Sequence, residues 1–211
     1  MSRIPVGALD PSGLLGGVSG YDTKETPSVY VSVLHDPAFF HLLTRIDAEY
    51  AEETRQGRCP RCQGPLHVAD YPRKPRGCPP SVLEEYSQRL SFTCGRCDKR
   101  TTPASVRFLA RRVYVGLALL LLSGSAGCAA CAVQQHLSVS ARTVKRWRTW
   151  WHRDFQRTAF WRSVCERFAS PVPAEALPQS LLERFQGASC QERLEELLRF
   201  VRPLSTTAVI K

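Results

Sequence analysis

The chain has 211 residues, of which 43% are hydrophobic, and carries a net charge of +10. That is enough apolar material for one core of modest size or two small ones. Twenty of its 29 Lys and Arg, but only 6 of its 19 Asp and Glu, fall between Arg58 and Arg167, so the middle is strongly basic and both ends are mildly acidic; such a block draws polyanions. Nine cysteines behind an N-terminus (MSRIPVGALDPSG) with no continuous apolar run argue against a disulfide framework and for a reducing, cytoplasmic setting.

Residues 1–28, rich in Gly, Pro and Ser, read as a flexible leader. The segment 29–57 follows, with a short strand at Val29–Leu34 and a helix over about 37–56. Asp36 supplies its N-cap and Pro37 its first position; Phe39, Leu42, Leu43, Ile46 and Tyr50 recur at helical spacing, and Gly57 offers a stop. Residues 58–102 hold two Cys pairs, each beside a strand-like stretch (Leu66–Tyr71 and Arg89–Thr93), with the loop YPRKPRGCPPSV between them. From 103 to 168 the pattern is helical: Thr102-Pro103 can open a helix, Arg111–Leu122 continues it, and Ser123-Gly124 ends it. Two more helices are expected over Ala126–His136 and Ala141–Arg157. Pro171, Pro173 and Pro178 mark a linker over 169–178. Residues 179–211 carry two short helices, opened by Ser180-x-x-Glu183 and Ser189-x-x-Glu192 capping boxes. The fold class expected is mainly α, with a small β zinc ribbon and a helix-turn-helix domain.

Val113–Ala141 contains no Asp, Glu, Lys or Arg. Its strongly apolar part is only about 10 residues against the ~20 a bilayer span requires, so a buried helix is expected and no membrane association.

Cys59, Cys62, Cys94 and Cys97 form two Cys-x-x-Cys turns 31 residues apart. Each turn aims two thiolates at one ion, and two turns close a tetrahedral S4 site that leaves no position for substrate; one structural Zn2+ is expected. Arg61, Arg96, Lys99 and Arg100 supply positive charge that favours thiolate. His67 and Cys78 are alternative ligands, read as a strand residue and a loop thiol. Cys128, Cys131, Cys165 and Cys190 fall in helical patterns, where a small buried side chain is the default.

In AACAVQQHLSVSARTVKRWRTWW, Ser140 is a good N-cap, Leu137 and Val139 are placed to pack between two helices, and Val144, Trp147, Trp151 and Phe155 form one apolar face. Arg142, Thr143, Lys145, Arg146 and Thr149 are left facing outward, and Arg153, Arg157 and Arg162 extend the basic surface. All four Trp lie within 147–161 and read chiefly as core. This stretch resembles the helix-turn-helix of bacterial regulators and transposases, although Gln134 stands where that family has Ala and Ser138 where it has Gly. Together with CPRC and CGRC, it makes residues 58–160 resemble the zinc-ribbon and helix-turn-helix front end, or small accessory protein, of bacterial insertion sequences. The resemblance implies recognition of element ends or repression of the element's promoter.

The function expected is therefore non-catalytic, sequence-selective binding of double-stranded DNA, with Arg142, Thr143, Lys145, Arg146, Thr149 and Arg153 as contacts and a nucleoid location. A homodimer through Leu194, Leu197 and Val201, and a separately encoded transposase, are its candidate partners. The alternatives are a zinc-ribbon protein that binds RNA or protein through acidic C-terminal helices, and a subunit of a transposition or recombination enzyme. For the latter, the basic block offers only Asp70, Glu84, Glu85, Asp98, Asp154 and Glu166 as carboxylates.

Overall fold

A computed structural model describes residues 32–109, 115–124 and 128–206. The leader expected over 1–28 lies outside them. Of the strand expected at 29–34, the described part is helical and turning instead, with the His35 and Asp36 amides donating back to Ser32 and Val33.

Helix α1 (Pro37–Gln56) begins where Asp36 Oδ1 accepts the Ala38 amide, and it buries Phe39, Phe40, Leu43, Ile46 and Tyr50. It stops at Gly57, but the left-handed residue that turns the chain is Arg58, at φ 59°. Strands β1 (Leu66–Val68) and β2 (Tyr71–Pro72) follow, then helix α2 (Leu83–Tyr86) and strands β3 (Gln88–Arg89), β4 (Phe92–Cys94) and β5 (Arg100–Thr101). The two expected strands are thus each broken in two. β1, β4 and β5 form an antiparallel sheet in that order, with Leu66 opposite Cys94 and His67 opposite Thr93, while β2 pairs with β3. The Pro-rich loop between the Cys pairs is more regular than expected. It starts in β2 and ends in a 3-10 turn at Pro80–Val82. Between these, Gly77 adopts φ +78° and lies so close to Ala118 that an added Cβ would stand 2.5 Å from its Cβ, so both conformation and space demand glycine.

No helix opens at Thr102-Pro103. Residues 102–109 are irregular, Phe108 bridges to Val115, and helix α3 runs over Gly116–Gly124. A buried ion pair holds this irregular segment. Asp47, fully buried on α1, accepts from Arg107 Nε (2.8 Å), Ser105 Oγ (2.5 Å) and the Val106 amide (2.7 Å). Arg107, 2% exposed, also donates to the Glu85 carbonyl and lies over the rings of Tyr86 and Phe108. The backbone amides of 105–107 thus take side-chain acceptors where a helix would supply backbone ones.

Leu117 and Leu119–Leu122 of α3 are buried on every side of the helix, which explains a segment without charge. Among the described residues, no helix is long and apolar enough to cross a membrane. Against α3 pack α4 (Cys128–His136), α5 (Ala141–Thr149) and, from further along the chain, α8 (Cys190–Val201), while α6 (Ala159–Val164) and α7 (Gln179–Leu182) add Trp161, Leu181 and Leu182 to the same core. α5 runs on through a wider π turn at Trp150–Asp154, where the Phe155 amide bonds back to the Trp150 carbonyl. The extra residue in that turn keeps Trp151 and Phe155 buried on the side of Trp147 and Val144, and Trp161 closes the aromatic group.

Three C-terminal expectations change. The 169–178 segment is not a free linker, because Leu177 is 2% exposed and belongs to the main core. Ser180 caps nothing. It lies inside α7, buried, with its hydroxyl donating to the Pro173 carbonyl. Leu194, Leu197 and Val201, the expected dimer face, are fully buried within the chain. Only Ser189 acts as a cap, accepting from the Glu192 amide at the start of α8.

Candidate metal centre and basic helix

The two Cys-x-x-Cys turns have the same backbone construction. The Cys59 amide donates to the carbonyl five residues on (Gly64, 3.0 Å) and its carbonyl accepts from Gln63; Cys94 does the same with Lys99 (3.1 Å) and Asp98. The residue after each second cysteine is left-handed: Gln63 at φ 57° and Asp98 at φ 54°. These turns leave amides pointing at sulfur, the Arg96 N–H lying 3.3 Å from Cys94 Sγ.

The four Sγ atoms of Cys59, Cys62, Cys94 and Cys97 all lie within 4.8 Å of one another. Cys59–Cys97 are 3.7 Å apart and Cys62–Cys94 3.4 Å. Thiolates bound tetrahedrally at the ~2.3 Å typical of zinc sit about 3.8 Å from each other, so the cluster can hold a metal ion with little adjustment. The group is all sulfur and closed. His67 is not part of it but lies over Gly95, its Nε2 2.7 Å from where a Cβ would stand. A Cβ on Gly64 would meet Cys94 Sγ at 2.9 Å and Cys62 Sγ at 3.3 Å; only glycine fits beside the sulfurs.

The amides tune the thiols unequally. For Cys59 the Arg61 N–H lowers the thiol pKa. Burial works to raise Cys94, but the Arg96 and Cys97 amides, together with the Cys62 and Cys97 sulfurs, outweigh it and draw the thiol down to about 6. The Gly64 amide favours the Cys62 thiolate, yet the Cys94 sulfur and burial push that thiol up to about 12.

The remaining cysteines stand apart. Cys78 is half-buried beside the main core, where burial pushes its thiol up to about 12 and Sγ donates to the Pro79 carbonyl. Cys131 is exposed, which corrects the expectation of a small buried residue. The Cys128 side chain lies outside the described residues. Cys165 and Cys190 are half-buried against the core.

Between α4 and α5, Leu137 and Val139 are buried, at 5% and 6%. The Val139 amide bonds to the Gln134 carbonyl and the Ser138 amide to that of Gln135, a helix ending in which the left-handed position falls on Ser138, φ 51°. Glycine is the usual occupant of that position. Left-handed backbone costs a side-chain-bearing residue roughly 1–2 kcal/mol, and glycine's own entropy returns about 0.5–1 of that. Ser138→Gly is therefore expected to raise stability by about 0–1.5 kcal/mol, read as a higher thermal midpoint; a lower midpoint would mean the serine hydroxyl stabilises the turn.

Ser140 caps α5 as expected, accepting from the Thr143 amide. Arg142, Lys145 and Arg146 are exposed. Thr143 is not: it is buried, and its hydroxyl pairs with Ser140 Oγ at 3.0 Å, because the third helical position turns inward with Val144 and Trp147. Thr149 is exposed, with its hydroxyl donating to the Lys145 carbonyl, and Arg153 is paired with Asp154 at 2.9 Å. A Tyr71 ring faced by Arg73 and Arg100 was invisible in the sequence, since nothing in the spacing relates those positions.

No protein-family model, no curated protein and no solved structure matches the chain.

Proposed function

We propose that the chain is a non-catalytic, sequence-selective binder of duplex DNA, held together at residues 58–102 by one structural Zn2+ on Cys59, Cys62, Cys94 and Cys97. Zinc is favoured over other ions by a tetrahedral all-thiolate donor set with no open position. The observation that carries the DNA reading is the build of α5. Ser140 caps it, a tight left-handed turn at Ser138 joins it to α4, Val144 and Trp147 seat it on the core, and Arg142, Lys145 and Arg146 project to solvent. A rigidly seated helix with cations near its N-terminus suits a B-form major groove, where guanidinium and ammonium groups reach base edges. The likeness to insertion-sequence front ends adds a role in binding element ends or a promoter, beside a separately encoded transposase.

The test is selection of bound fragments from random duplex DNA, followed by affinity measurements with Arg142→Ala/Lys145→Ala. The variant is expected to keep the fold and to bind the selected site at least about 10-fold more weakly, each good base contact being worth roughly 1–3 kcal/mol. Unchanged affinity, or no selected sequence at all, would reject α5 as the reading element.

A further inference from the structure

The three-stranded sheet carries a charged face that neither the thiol cluster nor α5 uses. Its register puts His67, Thr93 and Arg100 in one row, on the side opposite the buried Leu66, Cys94 and Phe92. Arg100 Nη1 donates to the Ala69 carbonyl (2.9 Å) and Ser91 Oγ (2.8 Å), and its guanidinium lies 5.0 Å from the centre of the Tyr71 ring, which Arg73 covers at 4.6 Å. At its other end the row runs into the Cys turns: His67 lies over Gly95, and the Arg96 Cβ stands 2.8 Å from where a Cβ on Gly64 would be. Arg61 and Arg96 occupy the same position in the two turns, and both are exposed.

Residues 58–102 carry nine Lys and Arg against four Asp and Glu. Asp70 accepts the Ser91 amide at 2.8 Å and Glu85 pairs with His41, while Asp98 is the carboxylate of the Cys turns themselves.

We infer that this strip, from Arg61 and Arg96 through His67 to Arg100 and Arg73, is a second DNA contact, which holds the phosphodiester backbone of a duplex and does not read bases. The inference rests on the reading that the chain binds DNA. Guanidinium groups match phosphate by charge and by paired donors. Two of them, Arg73 and Arg100, already lie on the Tyr71 ring, which helps to orient these cations. The metal-closed turns fix Arg61 and Arg96 on short, rigid loops, which suits a contact that sets position along the duplex.

The experiment uses the full, metal-loaded chain and measures duplex affinity against salt concentration, with metal content as the control. Each phosphate contact contributes about 0.9 to the slope of log affinity on log salt. Arg61→Gln/Arg96→Gln is expected to flatten that slope by about 1.8, and Arg73→Gln, away from the thiols, by about 0.9, with preference for the selected site retained. Arg61→Lys/Arg96→Lys should restore most of the slope. Slopes unchanged in both Gln variants overturn the inference while leaving the α5 reading in place. Sequence-indifferent binding whose slope still falls in those variants supports the strip and rejects α5. A wild-type chain that binds no duplex rejects both.

Discussion

With the proposed zinc on the four thiolates, Cys94→Ser is expected to remove that ion and to unfold the proposed ribbon at residues 58–102 while the helical body stays folded. The reason is the size of the ribbon's own core, which consists of Ala51, Leu66, Phe92 and the thiols Cys59 and Cys94. Burying a Leu and a Phe is worth roughly 1.5–3 kcal/mol each, whereas ordering the tens of residues around them costs about 1 kcal/mol or more apiece. Structural zinc sites contribute on the order of 10–16 kcal/mol, and this is the scale of contribution the ribbon requires. Cys94 is fully buried among the four sulfurs and receives the Arg96 amide, so serine at that position loses both a ligand and the group that the turn is built around. Metal content should fall from about one ion per chain, and amide protection should vanish at Leu66–Val68 and Phe92–Cys94 while persisting in α3. A chelator should do the same to the unmutated chain. Because thiols must lose protons to ligate, metal affinity should also fall as pH is lowered. Full protection of these strands in a metal-free chain would remove the staple.

What the sequence revealed, and what it hid, follows the range of the interactions. α1 announced both of its ends because a cap, a first-turn proline and an apolar stripe are all local. The thiol set was legible for a similar reason: each Cys-x-x-Cys turn is a self-contained loop, and only the joining of the two turns is long-range. The buried face of α5 is legible from period alone, but the charge pattern places Thr143 outside whereas it is buried, its hydroxyl paired with the cap Ser140. At Ser180 the reverse occurs: a capping-box pattern is present, but with Leu181 and Leu182 buried the helix starts two residues earlier than that cap implies, at Gln179. Residues 102–109 were unreadable because their structure depends on Asp47, some sixty positions away.

That same dependence predicts that Asp47→Asn is among the most damaging single substitutions in the helical body. Asparagine is nearly isosteric, so packing around α1 survives, but Arg107 is left as a buried cation with no counter-charge. A guanidinium does not give up its proton in a protein. Removing one partner of a buried pair costs about 3–5 kcal/mol, a large share of the roughly 5–15 kcal/mol that holds a domain together. Arg107→Met should cost less, because the orphaned Asp47 keeps the Ser105 hydroxyl and Val106 amide as donors. Replacing both, as Asp47→Leu/Arg107→Met, is expected to recover only part of the loss, since an apolar pair leaves the Ser105 hydroxyl and Val106 amide without an acceptor. Denaturant unfolding of the three variants decides the matter. If Asp47→Asn costs no more than Arg107→Met, the pair is not what anchors residues 102–109 to α1.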